Sequence, residues 1–198
     1  MHTNISIIGS GGQSKVVLEE LLNLDLILKV NFFDEKVVPN NQNFPNEKKI
    51  KILHDFEELD KFFHVAIGAN DVRRRISQSA IGIGKRPYSI VSNRSITSQS
   101  AKVSDGCFIA SNALIGPDSM IGQSVIINHS AVVDHDCIID DYCHIAPNST
   151  LCGNVHIGEN SLIGAGATVL PGISIGRNSI IGAGATITKN VGDNQIMF

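Results

Sequence analysis

The sequence predicts a small parallel α/β unit followed by a long coil of stacked, very short strands, and three observations predict it. The first ninety residues alternate strand-like and helix-like apolar patterns. A glycine-rich turn joins the first strand to the first helix. From Val91 onward the apolar pattern takes a strict period of six. A chain of 198 residues is long enough to bury the cores of two such units. The expected division is 1–90 and 91–198.

Asn4 to Gly9 (NISIIG) reads as a short buried strand running into GSGG. SKVVLEELLNL then places Val17, Leu18, Leu21 and Leu22 at helical spacing. LILKVNFFDE reads as a second strand ending in Asp34 and Glu35, and the polar, Asn-rich stretch from Pro39 to Lys49 as a loop. HDFEELDKF carries a D-x-x-E capping box, Asp55 to Glu58, and predicts a short helix. HVAIG is a third strand, and NDVRRRISQSA a helix that Asn70 or Asp71 is placed to cap. The order β-α-β-α-β-α is that of a Rossmann-like nucleotide-binding sheet.

The six-residue period runs through seventeen lead positions, from Val91 by way of Ile109, Ile127, Ile145 and Ile163 to Ile187, and only Thr97 among them is not aliphatic. Four residues after each lead comes a small or short side chain, from Ser95 and Ala101 to Val191. Two inward positions in six fit a chain that makes a short strand, turns a corner and repeats. Three repeats then close an 18-residue triangular coil, and coils stack at about 4.8 Å. This is the hexapeptide repeat of the left-handed parallel β-helix; the handedness comes from that likeness, since the period alone gives only a coil.

The formal net charge of −3, without a long basic run, argues against a nucleic-acid surface. No apolar stretch is long enough to span a membrane, and the N-terminus lacks a basic n-region, so no membrane insertion and a cytoplasmic location are expected. Cys107, Cys137 and Cys143 occupy the small position of the repeat and Cys152 the residue after a lead. They read as fillers, with no disulfide or metal expected.

The stretch INHSAVVDHDCIIDDYCHIAPNST concentrates ionisable chemistry. His135 falls two past the lead Val133, on a solvent-facing corner between Asp134 and Asp136. His144 directly precedes the lead Ile145 and projects from a flat side, opposite the His135 corner, so the two cannot meet in one chain. Side-by-side packing of three prisms as a closed homotrimer would bring them together between subunits. Gly153, one coil above His135, would bare a backbone N–H at the same corner. A base, a carboxylate and a bare amide suit acyl transfer. His129 and His156 read as ordinary solvated corner or side residues.

The turn GSGGQS allows close backbone approach, and the helix N-terminus behind it favours phosphate. As a dinucleotide fingerprint it is imperfect, because Ser14 stands at the third glycine. Asp34, and Gly68 at the end of the third strand, border the same crevice, and a mononucleotide or nucleotide sugar fits the short unit better than NAD.

An IxGxGG unit followed directly by a β-helix carrying VDHDCIIDDYCHIAPNSTLCGNVHIG resembles the N-acetyltransferases of nucleotide-linked 4-amino-4,6-dideoxy sugars, of the bacillosamine, perosamine and viosamine types. Sialic acid O-acetyltransferases are among their relatives. The resemblance implies an acetyl-CoA-dependent homotrimer acting on a C4 amine, with His135 as general base and Asp136 orienting it. It implies that His144 and Gly153 lie near the thioester, that the pantetheine arm passes Ala165 and Ala183, and that Gly11, Gly12, Gln13, Asp34, Glu35 and Gly68 hold the nucleotide sugar. Two departures stand out: Gln13 replaces the family's common His, and QIMF replaces its usual V-x-G-x-P-A-K ending. O-acetylation of a sugar is the alternative reaction. A zinc carbonic anhydrase drawing on His129, His135 and His144, or a non-catalytic nucleotide-sugar binder, are more distant alternatives.

Overall fold

The structure, a computed structural model, describes residues 3–22, 24, 27–33, 50–53 and 56–198. The N-terminal strands are β1 (Thr3–Ile8), β2 (Ile27–Phe33), β3 (Ile50–Leu53), β4 (Phe62–Val65) and β5 (Arg86–Pro87), and the helices α1 (Gly12–Leu22) and α2 (Asn70–Gly82). They form one sheet, ordered β3-β2-β1-β4-β5 and parallel throughout. Val17, Leu18 and Leu21 of α1 are buried against Ile5 and Ile7 of β1, as the helical spacing requires. Ile8, Phe63 and Val65 pack instead with Ile76 and Ala80 of α2.

Three sequence expectations are corrected here. Strand β3 was not foreseen; KIKIL is a short alternating segment directly after an Asn-rich stretch, and its strand character comes from pairing with β2. The short helix after it is a single 3-10 turn, Phe56–Glu58, and the proposed cap Asp55 lies outside the described residues. Helix α2 has no side-chain cap: Ala69 is its N-cap residue. Asn70 is diverted, its Nδ2 donating to the carbonyls of Asn160 and Ser161 at 3.0 Å each while its Oδ1 accepts from Arg73.

From Ile90 the chain winds into about six triangular coils. Side one stacks Ile90–Val91, Phe108–Ile109, Ile126–Ile127, His144–Ile145, Leu162–Ile163, Ile180–Ile181 and Ile196–Met197. Side two runs from Ile96–Thr97 to Thr186–Ile187, and side three from Lys102–Val103 to Ser174–Ile175. The leads Ile109 to Ile187 and the small residues between them, including Cys107, Cys137 and Cys143, form one continuous core. Each buried Ile or Val there contributes roughly 1.5–3 kcal/mol of transfer free energy. Three residues after the lead the backbone turns left-handed: Asn112, Asp118, Asp136, Asn148, Asn154, Asn160 and Asn178 all have φ between 53° and 62°. Asn and Asp tolerate that region better than other side-chain-bearing residues, which explains their recurrence at the corner.

The period is not held to the end. Val191 bridges Ile175, and Ile196 pairs with Ile180, each sixteen residues on, whereas lower coils pair eighteen residues apart. The corner after Ile187 is two residues short, so Val191 takes a lead position and not the small position that the period assigned to it. Asn190 closes this corner by accepting from the Ser174 N–H at 2.9 Å.

Side one carries the N-terminal unit. Its outward residues Ile90, Phe108 and Ile126 are fully buried against Ile5, Ile7, Ala66 and α1. On the other sides some equivalent residues are exposed, Ile96 by 66%, Met120 by 50% and Ile138 by 44%. His64 of β4 meets Phe108 edge to face with centroids 6.2 Å apart.

Candidate active site

His135 stands on the corner between sides two and three, with its side chain 56% exposed. The left-handed backbone of Asp136 (φ 59°) turns its carboxylate back, and Oδ2 lies 2.7 Å from His135 Nδ1. Asp134 Oδ1 accepts the His135 backbone N–H at 2.8 Å, fixing the other flank of the turn. With Nδ1–H donating to Asp136, Nε2 is left as the free basic nitrogen. The Asp136 hydrogen bond, more than any other cause, raises the His135 pKa above the usual imidazole value. The ring lies over Gly153, where an added Cβ would sit 2.4 Å from Nε2 and 2.5 Å from Cε1. Any other residue at 153 would occupy the space of the imidazole.

His144 occupies side one, across the prism from that corner. Its Nδ1 lies 3.3 Å from the Gly68 carbonyl, and its Nε2 lies 3.1 Å from Asn128 Nδ2. Asn128 Oδ1 already accepts the His129 N–H at 2.9 Å, so its amide NH₂ faces the ring. Nδ1–H therefore donates to Gly68 and Nε2 accepts from Asn128, which is the neutral tautomer. Burial first, and the nearby Arg73 charge second, push the His144 pKa down to about 4. At neutral pH this ring is a fixed neutral dipole, and the unprotonated nitrogen it has is in use. The two histidines thus have opposite characters, set by exposure and by the partner at Nδ1.

At the glycine-rich turn Gly9 adopts φ 109° and abuts Ile67, bringing the β1 end against the β4 end. Gly11 and Gly12 are exposed at the start of α1. Ser14, the departure from the glycine pattern, is fully buried and donates to the Gly11 carbonyl at 2.6 Å. Gln13 Nε2 is buried and has no hydrogen-bond partner among the described residues. Asp34 and Glu35 lie outside the described residues. Ala165 and Ala183 are both exposed on the corner between sides one and two, one coil apart.

The chain therefore brings together His135, Asp136 and Gly153 in one group and Gly68 and His144 in another, on different parts of the prism. His129 lines a separate cavity of about 410 Å³ with Lys15, Glu19, Glu20, Arg94 and Ser111. Cys137 is buried with its Sγ on the Cys152 carbonyl, turned away from His135. Among the described residues no three His, Cys, Asp or Glu side chains are grouped to hold a metal ion. No described helix is long and apolar enough to cross a membrane. Sequence reasoning missed Asn128 and Arg73. Asn128 had one visible signal, a polar amide directly after an inward lead.

A corner histidine paired with a carboxylate on a six-residue β-helix, with a parallel α/β unit docked on one side, defines a class of acyl-transferring β-helix proteins. The PglD N-terminal domain family matches residues 4–80, and the bacterial transferase hexapeptide family (six repeats) matches 118–153 and 154–189. The acetyltransferase domain of PglB from Neisseria gonorrhoeae is 30% identical, covers 98% of this chain and 95% of its own, and superposes with a TM-score of 0.88; its acetyl coenzyme A complex gives 0.91 at 29% identity, over 99% of this chain and 96% of that one. PerB from Caulobacter crescentus, in complex with CoA and GDP-perosamine, is 30% identical over 98% of this chain and 93% of that one, with a TM-score of 0.85. WeeI from Acinetobacter baumannii, 24% identical over 98% of this chain and 96% of that one, shares the fold with a TM-score of 0.88. Comparison with curated protein sequences gives no match. The chain belongs to the hexapeptide-repeat sugar acetyltransferases that carry a PglD-type N-terminal domain, built on the left-handed β-helix.

Proposed function

We propose that this chain is an acetyl-CoA-dependent N-acetyltransferase acting on the C4 amine of a nucleotide-linked 4-amino-4,6-dideoxy sugar. In this reading it works as a homotrimer with its active sites between subunits. Residues 1–90 hold the nucleotide sugar and residues 91–198 carry the transfer. The observation that carries it is the His135–Asp136 pair, exposed at a prism edge with Nε2 free and Nδ1 2.7 Å from the carboxylate. The acetyl coenzyme A bound to PglB, and the CoA and GDP-perosamine bound to PerB, support the choice of substrates.

Acetyl-CoA supplies an electrophilic thioester carbonyl. Ala165 and Ala183 fit its pantetheine arm, because two exposed methyl side chains on successive coils leave the corner ridge shallow. The amine forms the C–N bond as the thioester C–S bond breaks. His135 Nε2 takes the amine proton, Asp136 stabilises the imidazolium that forms, and the proton passes to the departing CoA thiolate, leaving the amide and free thiol. Gly153 is buried beneath the His135 ring, and its backbone N–H would polarise the acyl oxygen once that ring turns toward the substrate. The exposed start of α1 at Gly11 and Gly12 offers N–H groups to a diphosphate. No acyl-enzyme is needed, and Cys137 is turned into the core.

The test is a panel of UDP-, dTDP- and GDP-linked 4-amino sugars with acetyl-CoA, following thiol release. Release with at least one amine and none with its 4-hydroxy counterpart supports the reading. Turnover of hydroxyl sugars alone would make it an O-acetyltransferase. Mixing His135→Ala with His144→Ala chains tests the shared site: two dead single variants whose hybrids regain no activity remove the between-subunit geometry.

A further inference from the structure

Helix α2 contributes three consecutive arginines, and the first of them does not face solvent. Arg73 is 1% exposed, the largest fully buried side chain of the described chain. Its guanidinium reaches across the boundary between the N-terminal sheet and the β-helix. Nε donates to the Ser124 carbonyl at 2.9 Å, and Nη1 to the carbonyls of Ile67 and Gly68 at 3.1 Å each. Nη2 donates to Asn70 Oδ1 at 2.9 Å, Tyr142 O at 2.6 Å and Cys143 O at 3.1 Å. Every one of these acceptors is neutral, and five of the six are backbone carbonyls.

That is an unusual way to hold a buried cation. A fold that needed only an anchor at this seam would be served by apolar packing, since desolvating a guanidinium without a carboxylate is costly. What the arginine adds is geometry. Five N–H groups in one rigid plane fix three backbone segments against one another: the β4 end at Ile67 and Gly68, the corner at Ser124, and the corner at Tyr142 and Cys143 that leads directly into His144. The Gly68 carbonyl accepts from both Arg73 Nη1 and His144 Nδ1.

We infer that Arg73 is a positioning residue of this active site, holding the Gly68 end of the sugar-nucleotide crevice against His144 and keeping that imidazole in its neutral, Asn128-accepting form. The inference rests on the proposed reading of Gly68 as holding the nucleotide sugar and of His144 as lying near the thioester. Arg73 itself touches no reacting atom. The charged group set against the His144 ring is Arg73 of α2; the partners from side one and the β4 end are Asn128 and Gly68, both uncharged. Burial lowers the Arg73 pKa only to about 10, so the charge is present through the working pH range.

The experiment compares Arg73→Met, which keeps the length and removes both charge and fork, with Arg73→Lys, which keeps the charge and loses the fork. Two readouts are taken on the intact full-length protein: the His144 titration by NMR of the imidazole, and KM for each substrate. In Arg73→Met, His144 titrates at higher pH and KM for the nucleotide sugar, held at Gly68, rises about tenfold or more. In Arg73→Lys, His144 stays neutral to low pH but the nucleotide-sugar KM still rises. A folded Arg73→Met protein with unchanged His144 titration and unchanged KM values overturns the inference. So does loss of folding in both variants, which would assign Arg73 to assembly of the fold alone. The titration needs no substrate: if no nucleotide amino sugar is acetylated by the parent protein yet His144 still shifts in Arg73→Met, the functional reading fails and the positioning role stands.

Discussion

The imidazole of His135 rests on Gly153, one coil above it, with no room between them for a methyl group: a Cβ at 153 would lie 2.4 Å from Nε2. The contact joins the proposed base to the amide proposed to polarise the acyl oxygen. Gly153→Ala therefore drives the ring off its position without touching the inward core, and the Gly153 carbonyl continues to accept from Gly172 N–H as it does now at 3.0 Å. A displacement of about 1 Å at a reacting group can cost about 10²-fold. The expected outcome is a fall in kcat of that order with an unchanged unfolding midpoint, read by steady-state kinetics beside circular dichroism.

Replacing His135 by Asn should lower kcat by about 10²–10⁴ while the protein stays folded, since the side chain is exposed and supports no core residue. Near-normal turnover would remove the base assignment.

The pH profile gives a finer test. His135 must be neutral to accept a proton, and its pKa is raised, chiefly by the Asp136 hydrogen bond. The acid limb of kcat/KM should therefore break above the ordinary imidazole value, with activity lost as pH falls through it. Asp136→Asn removes the largest cause of that shift, so the limb should move to lower pH while turnover at high pH drops less than in His135→Asn. A limb that stays in place in Asp136→Asn would separate the carboxylate from the titrating group.

The β-helix was legible because stacking places every sixth residue in the same environment, so the inward leads and their small partners announce themselves from Ile109 to Ile187. The corner position of His135 followed by counting. What sequence could not carry was anything made by backbone acceptors. Arg73 looks like one of three solvated arginines on an amphipathic helix, and the carbonyls of Ser124, Tyr142 and Cys143 that bury it have no residue signature. Asn70 is a good cap by type, yet two carbonyls on the neighbouring coil compete for it and win. The shortened last corner was hidden because Val191 suits a lead or a small position equally well.

The cysteines provide a test of the packing. Burial pushes the thiols of Cys107 and Cys143 up to about 12 and raises that of Cys137, and all three are fully enclosed. Cys152 is partly exposed. Thiolate is the reactive form, so iodoacetamide at pH 8 should add once to the native protein, at Cys152, and four times after denaturation. Mass spectrometry of the intact chain counts the adducts, and native labelling at Cys143 would contradict its enclosure in the coil core.

His64 gives the seam between the two units a dependence on acid. It is buried on β4 against Phe108, its Nδ1–H donates to the Tyr88 carbonyl at 2.9 Å, and burial pushes its pKa down to about 4. The unfolded chain binds a proton near 6.5 and the folded one does not until about 4, so the unfolded state holds more protons in between. Stability from this residue is fully present above about pH 6.5 and is lost as pH falls from there toward 4. Between pH 7 and pH 5 the loss amounts to about 2 kcal/mol for His64, and His144, whose pKa is also lowered to about 4, adds a similar loss. His64→Gln keeps a donor for Tyr88 and cannot titrate, so its urea midpoint should fall less over this range than that of the parent. Equal falls in the two proteins would show that His64 is already protonated, or already solvated, in the native state.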